Sequence, residues 1–296
     1  PAVWSRALRA WAARVLYGWG RGDSTGAGTL AGETRKLCAE GKLVHDEFMQ
    51  MVSSSAPSVR HRNPTGPASS MYGLAEALGM SLPGCSAIPA PYRERGWMAF
   101  ETGKRIVGMV RENLRPSDIT TKAAFENAVV AAAALGASSN CPIHMVAIAR
   151  HMGVDHSLED WQRLGPSVPL LCDVQPAGRF LGEKFHRAGG VPAVMKELLG
   201  AGKLNAGAMT GTGRTVAENL EGVADGDREV IRSYGSPMKE AAGYVVMSGN
   251  LFDSAVMKIS VIDQDFRQRF LSNPDRPNIF EGRAIVFEGP EDYHHR

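Results

Sequence analysis

The chain has 296 residues, 44% of them hydrophobic and 22% charged, the balance of a globular protein of one large or two ordinary domains. A net charge of +2 gives no broad electrostatic case for nucleic acid or an anionic membrane as partner. The longest apolar run, Ala128 to Leu135, falls far short of the roughly 18 to 20 residues that a membrane span requires and reads as a buried helix.

Pro1 to Arg21 is rich in Arg and Trp and lacks the apolar region and small-residue cleavage site of a secretory signal. Gly20 to Gly28 has the glycine density of a phosphate cradle. No Lys follows its last glycine as a P-loop requires, and no strand precedes it as a dinucleotide fold requires, so it reads as a Gly turn before a helix. Helices are expected over Gly32 to Gly41 and Asp46 to Ser53, with a polar loop from Ser58 to Thr65. Met71, Leu74, Ala75 and Leu78 stand at helical spacing and predict a helix over Ser69 to Met80, stopped by Pro83 and Gly84. Ile106, Val107, Met109 and Val110 mark another over Gly96 to Asn113. Thr121 to Leu135 is a long Ala-rich helix, and the loop Gly136 to Asn140 feeds the next, Pro142 to Met152. A short helix over Asp160 to Leu164, an apolar strand over Pro169 to Val174 and a helix from Gly189 to Leu199 follow, with Pro192 in a first turn that tolerates it.

Helices alternating with short apolar runs imply an α/β, layered helix–sheet architecture. From Tyr244 the pattern turns to strands, at Tyr244 to Met247, Ala255 to Val261 and Arg283 to Phe287. The expected organisation is therefore an α/β domain over 1–233, a linker over 234–243 turning at Ser236-Pro237, and a β-rich unit over 244–296. So few strands do not close a core alone, so the second unit reads as the incomplete start of a domain whose exposed sheet edges favour homo-oligomers.

Cys38, Cys85, Cys141 and Cys172 stand far apart and form no Cys-x-x-Cys pair; free thiols of a cytoplasmic protein fit that spacing. His144 and His151 lie seven apart on one helix face with no carboxylate spaced to complete a metal site, and read as exposed or core-bonded. The terminal His294-His295 reads as a solvated end. Gly136 to Asn140 has two readings. A Gly/Ser/Asn loop directly before a helix aims backbone N–H groups and hydroxyls outward, which suits a carboxylate or phosphate. Ordinary N-capping by Ser139 or Asn140 explains the same residues.

Several stretches, in order and at matching spacing, resemble the dihydroxy-acid/phosphogluconate dehydratase family. They are Ala75 to Gly84, Lys122 to Ala128, the Gly136 to Asn140 loop beside the family's Gly-Gly-Ser-Thr-Asn, Arg187 to Ala193, and Gly249-Asn250-Leu251 with Ala255 to Lys258. Ile88 to Arg93, Asn250 to Ser254 and Phe287 to His294 resemble the branch acting on sugar acids, pentonates such as arabinonate or xylonate and hexonates. The resemblance implies a hydro-lyase that turns an aldonate into a 2-keto-3-deoxy acid. It implies magnesium to acidify the C2 proton and an iron–sulfur cluster to take the departing hydroxyl. It also implies a catalytic domain followed by a swivelling β domain, and Ser138, Ser139 and Asn140 as substrate-binding residues.

One departure stands out. The family holds its cluster with cysteine thiolates, the last in a Cys-Asn-Thr-Met-Gly-Thr-Ala pattern, and here Arg62 opens the corresponding Arg62 to Ala68. A guanidinium is permanently protonated and has no lone pair for iron. The family's other cluster cysteines and magnesium ligands are expected before Pro1 and its serine base beyond Arg296. The chain is thus expected to be an internal fragment, inactive alone and retaining no cofactor. The alternative is a non-catalytic remnant or scaffold with a small-acid pocket.

Overall fold

A computed structural model describes residues 18–20, 23–25, 27–58, 64–250, 253–270, 272–275, 279 and 281–295. Arg62 and most of Pro1 to Arg21 lie outside the described residues. The chain divides into two compact units, Pro1–Ser260 and Val261–Arg296.

The first unit opens with a small antiparallel hairpin, β1 (Gly18–Gly20) with β2 (Asp23–Thr25), before α1 (Ala27–Ala39) and α2 (His45–Ser54), which pack together. Then come α3 (Pro67–Ala77), a 3₁₀ turn at Cys85–Ala87, α4 (Arg93–Arg111), α5 (Pro116–Ile119), α6 (Lys122–Leu135), α7 (Asn140–Met152) and α8 (Leu158–Leu164). The elements α9 (Gly182–Arg187), α10 (Gly190–Gly200) and α11 (Val216–Leu220) precede a second antiparallel hairpin, β3 (Tyr244–Met247) with β4 (Ala255–Lys258).

The centre of this unit is α6. Thr121 caps its start, accepting from the Ala124 N–H at 3.4 Å, and Gly136 ends it in the left-handed region at φ 60°. Ala131 to Ala134 are all at 0% exposure. Four successive residues sweep roughly 300° of a helix circumference, so burial of all four means neighbours on nearly every side. Those neighbours are α3, α7, α8 and α10, which methyl-sized side chains admit to close range. The core on one flank joins α6 to Val191, Val194 and Leu198 of α10; on the other it joins Phe125, Trp161 and Tyr244.

The hairpin β3–β4 docks on α8. Trp161 meets the Tyr244 ring edge-on at a centroid distance of 5.0 Å, and Val246 N–H donates to Gln162 Oε1 at 2.6 Å. The contact requires two glycines: a Cβ added at Gly243 would lie 2.0 Å from the Gly165 carbonyl oxygen. Beneath it Trp161 Nε1 donates to His156 Nε2 at 3.1 Å, and His156 Nδ1 lies 3.3 Å from Asp160 Oδ2. Burial pulls the His156 pKa down against the opposing pull of Asp160. Burial pushes Asp160 up, but bonds from Lys122 and Arg163 prevail and hold the carboxyl down at about 2.

Helices with small two-stranded sheets make this an α/β composition, but among the described residues there is no multi-stranded layer, which corrects the expected layered sheet. The apolar segment Pro169 to Val174 makes only isolated bridges, Leu170 with Lys239, Cys172 with Ile231 and Val174 with Phe180. Its hydrogen bonds go to irregular chain and to the end of α6, where Leu171 N–H donates to Ala134 O at 2.9 Å, so no ladder propagates. The helix expected from Pro142 starts two residues earlier, and β4 ends at Lys258 rather than Val261.

The second unit holds α12 (Gln264–Phe270) and α13 (Pro290–His295). Phe266 packs on Phe270 at 4.8 Å and Phe287 on Tyr293 at 5.2 Å, while Ile285 and Val286 are exposed. The strand expected over Arg283 to Phe287 is irregular chain: among the described residues no strand lies beside it to take a ladder.

Candidate functional site

The loop from Gly136 to Asn140 joins the buried end of α6 to the start of α7. Gly136 is needed where it stands, because its φ is positive and an added Cβ would come within 2.8 Å of Leu170 Cδ1. The loop's carbonyls turn inward. Lys258 Nζ donates to Gly136 O at 2.6 Å, and Tyr244 Oη donates to Ala137 O at 2.7 Å. Ser138 O accepts from the Cys141 N–H at 3.0 Å. From the other side, Ser138 N–H donates to Ser70 Oγ on α3 at 2.9 Å.

These bonds orient the residues singled out in the sequence. Ser138 is half-buried, and its Oγ accepts from Asn140 N–H at 3.3 Å, opening α7. Ser139 and Asn140 are exposed, and Ser139, although the N-cap, makes no side-chain bond to its helix. Capping therefore accounts for Ser138 and leaves the Ser139 hydroxyl turned to solvent beside a helix N-terminus. His144 and His151 are exposed on the same helix.

Sequence reasoning passed over Ser70, Tyr244 and Lys258 as partners of this loop, because they approach it from 68, 107 and 122 residues away. One signal was present: Lys258 interrupts an apolar strand, where a cation has no place unless something inside accepts it. Burial draws the Lys258 ammonium down to about 8 and pushes the Cys141 thiol up to about 12. Tyr244 is pushed well above its ordinary value, also by burial. Tyr244 and Cys141 are therefore uncharged at neutral pH, while Lys258 keeps its charge there and loses it as pH rises through about 8.

Two cavities elsewhere do not compete. One beside Glu76, Ser81, Thr210 and Asn219 has a volume of about 30 Å³, and another beside Thr65, Ser69 and Ser86 about 10 Å³, room for a water or two and not for a sugar acid. Glu76 carries a carboxylate buried there, which accepts from the Gly84 and Ser86 N–H groups at 2.6 and 2.8 Å and is raised by burial.

The chain belongs to the dihydroxy-acid/6-phosphogluconate dehydratase family: residues 20–219 match its N-terminal domain and residues 229–296 its C-terminal domain. It is 51% identical to the D-xylonate dehydratase of Caulobacter vibrioides, over 95% of this chain and 47% of that protein. It is 39% identical to the L-arabinonate dehydratase of Rhizobium leguminosarum bv. trifolii, over 94% and 46%. It is 42% identical to the dihydroxy-acid dehydratase of Acidothermus cellulolyticus, over 76% and 38%. The chain thus spans about half the length of the two sugar-acid relatives and less of the third.

Among the described residues the donor set does not fit the metal cofactors that the family implies. Cys85, Cys141 and Cys172 are buried, Cys38 is half-buried, and among the described residues no three His, Cys, Asp or Glu side chains gather as metal ligands. No helix among the described residues is long and apolar enough to cross a membrane.

Proposed function

We propose that this chain is the sugar-acid-binding part of an aldonate dehydratase, a hydro-lyase yielding a 2-keto-3-deoxy acid, and that Ser138, Ser139 and Asn140 take the acid. The observation that carries this reading is the Ser139 hydroxyl, exposed and unused by its own helix, beside the N-terminus of α7. An aldonate offers a carboxylate, which a helix start attracts, and hydroxyls, which serine and asparagine side chains can pair. The identities to the xylonate and arabinonate enzymes support the substrate class. On this reading 1–233 is part of the α/β catalytic domain, 234–243 a linker and 244–296 the beginning of a C-terminal β domain that swivels, in a cytoplasmic protein.

The part played by this chain's own residues is to bind and orient the acid. A second reading is favoured by Arg62, that the chain binds a small acid without dehydrating it. Anaerobic reconstitution with iron and sulfide separates the two. The expected spectrum has no thiolate-to-iron charge-transfer bands. A stable stoichiometric cluster would return the chain to the catalytic reading.

The binding residues are tested by calorimetric titration with D-xylonate. Ser139→Ala is expected to weaken binding by about 1 kcal/mol, one neutral hydrogen bond, with the melting temperature nearly unchanged. Equal affinity with a clearly lowered melting point would reduce the loop to a helix cap. Absence of any binding by the unaltered chain would end the proposal.

A further inference from the structure

Tyr244 and Lys258 stand directly opposite one another in the register of the β3–β4 hairpin. Directly opposed residues of an antiparallel pair project to the same face. That face meets the α6–α7 loop, and the two side chains take the carbonyls of consecutive residues, Gly136 at 2.6 Å and Ala137 at 2.7 Å. Ser70 holds the next residue through its N–H at 2.9 Å. Three successive residues of the loop are thus fixed from two directions, and Ser139 follows immediately.

We propose that Lys258 and Tyr244 are positioning residues: the hairpin clamps the loop by its carbonyls and so presents Ser138, Ser139 and the first turn of α7 to an anionic sugar acid. The proposal rests on the reading of the loop as the acid site. Lys258 does more than hold a carbonyl, since its ammonium is a charge one residue from the presenting segment. The groups facing it are the Cys141 thiol of α7, neutral because it is pushed up to about 12, the Lys239 ammonium, and the hydroxyl of Tyr244 across the hairpin. Lys239 donates to Ser260 O and is a further cation, so no anion on these elements cancels the field.

A buried lysine drawn down to about 8 loses that charge in an accessible range. The neutral amine still donates to Gly136 O, so the loop stays in place as pH rises while the attraction for an anion declines. A purely structural lysine would show no such separation.

The experiment uses the whole 296-residue chain and two readouts. Hydrogen exchange of the amides of residues 136–141 is compared in the unaltered chain, Lys258→Met and Tyr244→Phe, with the α10 amides as internal control. Loss of a charge-assisted hydrogen bond is expected to speed exchange in the loop about tenfold in Lys258→Met, with α10 unchanged. Tyr244→Phe, which keeps the ring against Trp161, is expected to speed the same amides by a smaller factor. Titration with D-xylonate is expected to weaken about tenfold in Lys258→Met. In the unaltered chain it weakens as pH rises through about 8. In Lys258→Arg, charged throughout, affinity is expected to stay level over that range. Loop exchange unchanged in both Lys258→Met and Tyr244→Phe would overturn the clamp, whatever binds. Faster loop exchange in a chain that binds no D-xylonate would leave the clamp standing and remove the acid-site reading beneath it. Affinity independent of pH in the unaltered chain would remove the charge from Lys258's role.

Discussion

Gly243→Ala is expected to cost about 3 kcal/mol or more. The added Cβ would sit 2.0 Å from Gly165 O, 2.5 Å from Gly165 C and 3.0 Å from Gly165 Cα. All three are backbone atoms, so no rotamer change relieves the clash. Relief requires the hairpin to lift from α8, which parts Tyr244 from Trp161 and from Ala137 O together. Urea unfolding followed by circular dichroism checks this, with Gly235→Ala, where a Cβ meets nothing within 4 Å, as the control. Equal midpoints for the two variants would show that the hairpin is not seated against Gly165.

The second large effect is acid sensitivity. The native His156 ring is neutral, since Nε2 accepts from Trp161 and leaves Nδ1 as the N–H facing Asp160. Its folded pKa is lowered by burial from the ordinary 6.5, so on acidification the unfolded chain takes the proton first. The stability contributed by the neutral ring is complete above 6.5 and is lost as pH falls through the interval down to the lowered native value. Protonation also sets an N–H against the Trp161 N–H, adding to the loss. His186, likewise lowered by burial, acts with the same sign. The urea midpoint is therefore expected to fall between about pH 7.5 and about pH 5.5. His156→Gln is expected to flatten most of that fall, leaving the part due to His186. A midpoint rising toward acid, or a slope untouched by the substitution, would contradict this account of the ring.

The helical skeleton was legible because periodic apolar residues and caps announce it locally. Thr121 and Gly136 bound α6 as capping and left-handed residues do, and the alanines between them read directly as a buried helix. Strand readings succeeded only where a partner lay close along the chain, as for Tyr244 to Met247 with Ala255 to Lys258. At Pro169 to Val174 and Arg283 to Phe287 the same apolar signal produced no ladder, because composition records burial or β-propensity but not whether a second strand is at hand. The loop itself could be singled out from its Gly, Ser and Asn content. Which of its hydroxyls caps the helix could not, since that depends on the geometry at Ser138 rather than on residue type. The clamp was hidden for a different reason: its donors belong to a hairpin more than 100 residues away, and pairing at that separation leaves no mark in a local window.

Trp161 gives the molecule an optical voice. It is fully buried and edge-on to Tyr244, while Trp97 is 61% exposed. An indole in apolar surroundings emits to the blue of one in water, so the two contribute at opposite ends of the band. With Trp4, Trp11, Trp19 and Trp97 all replaced by Phe, a red shift in the emission of Trp161 signals water reaching α8. Detachment of the hairpin from the helical body thereby becomes visible without a label, and can be timed separately from the loss of helix.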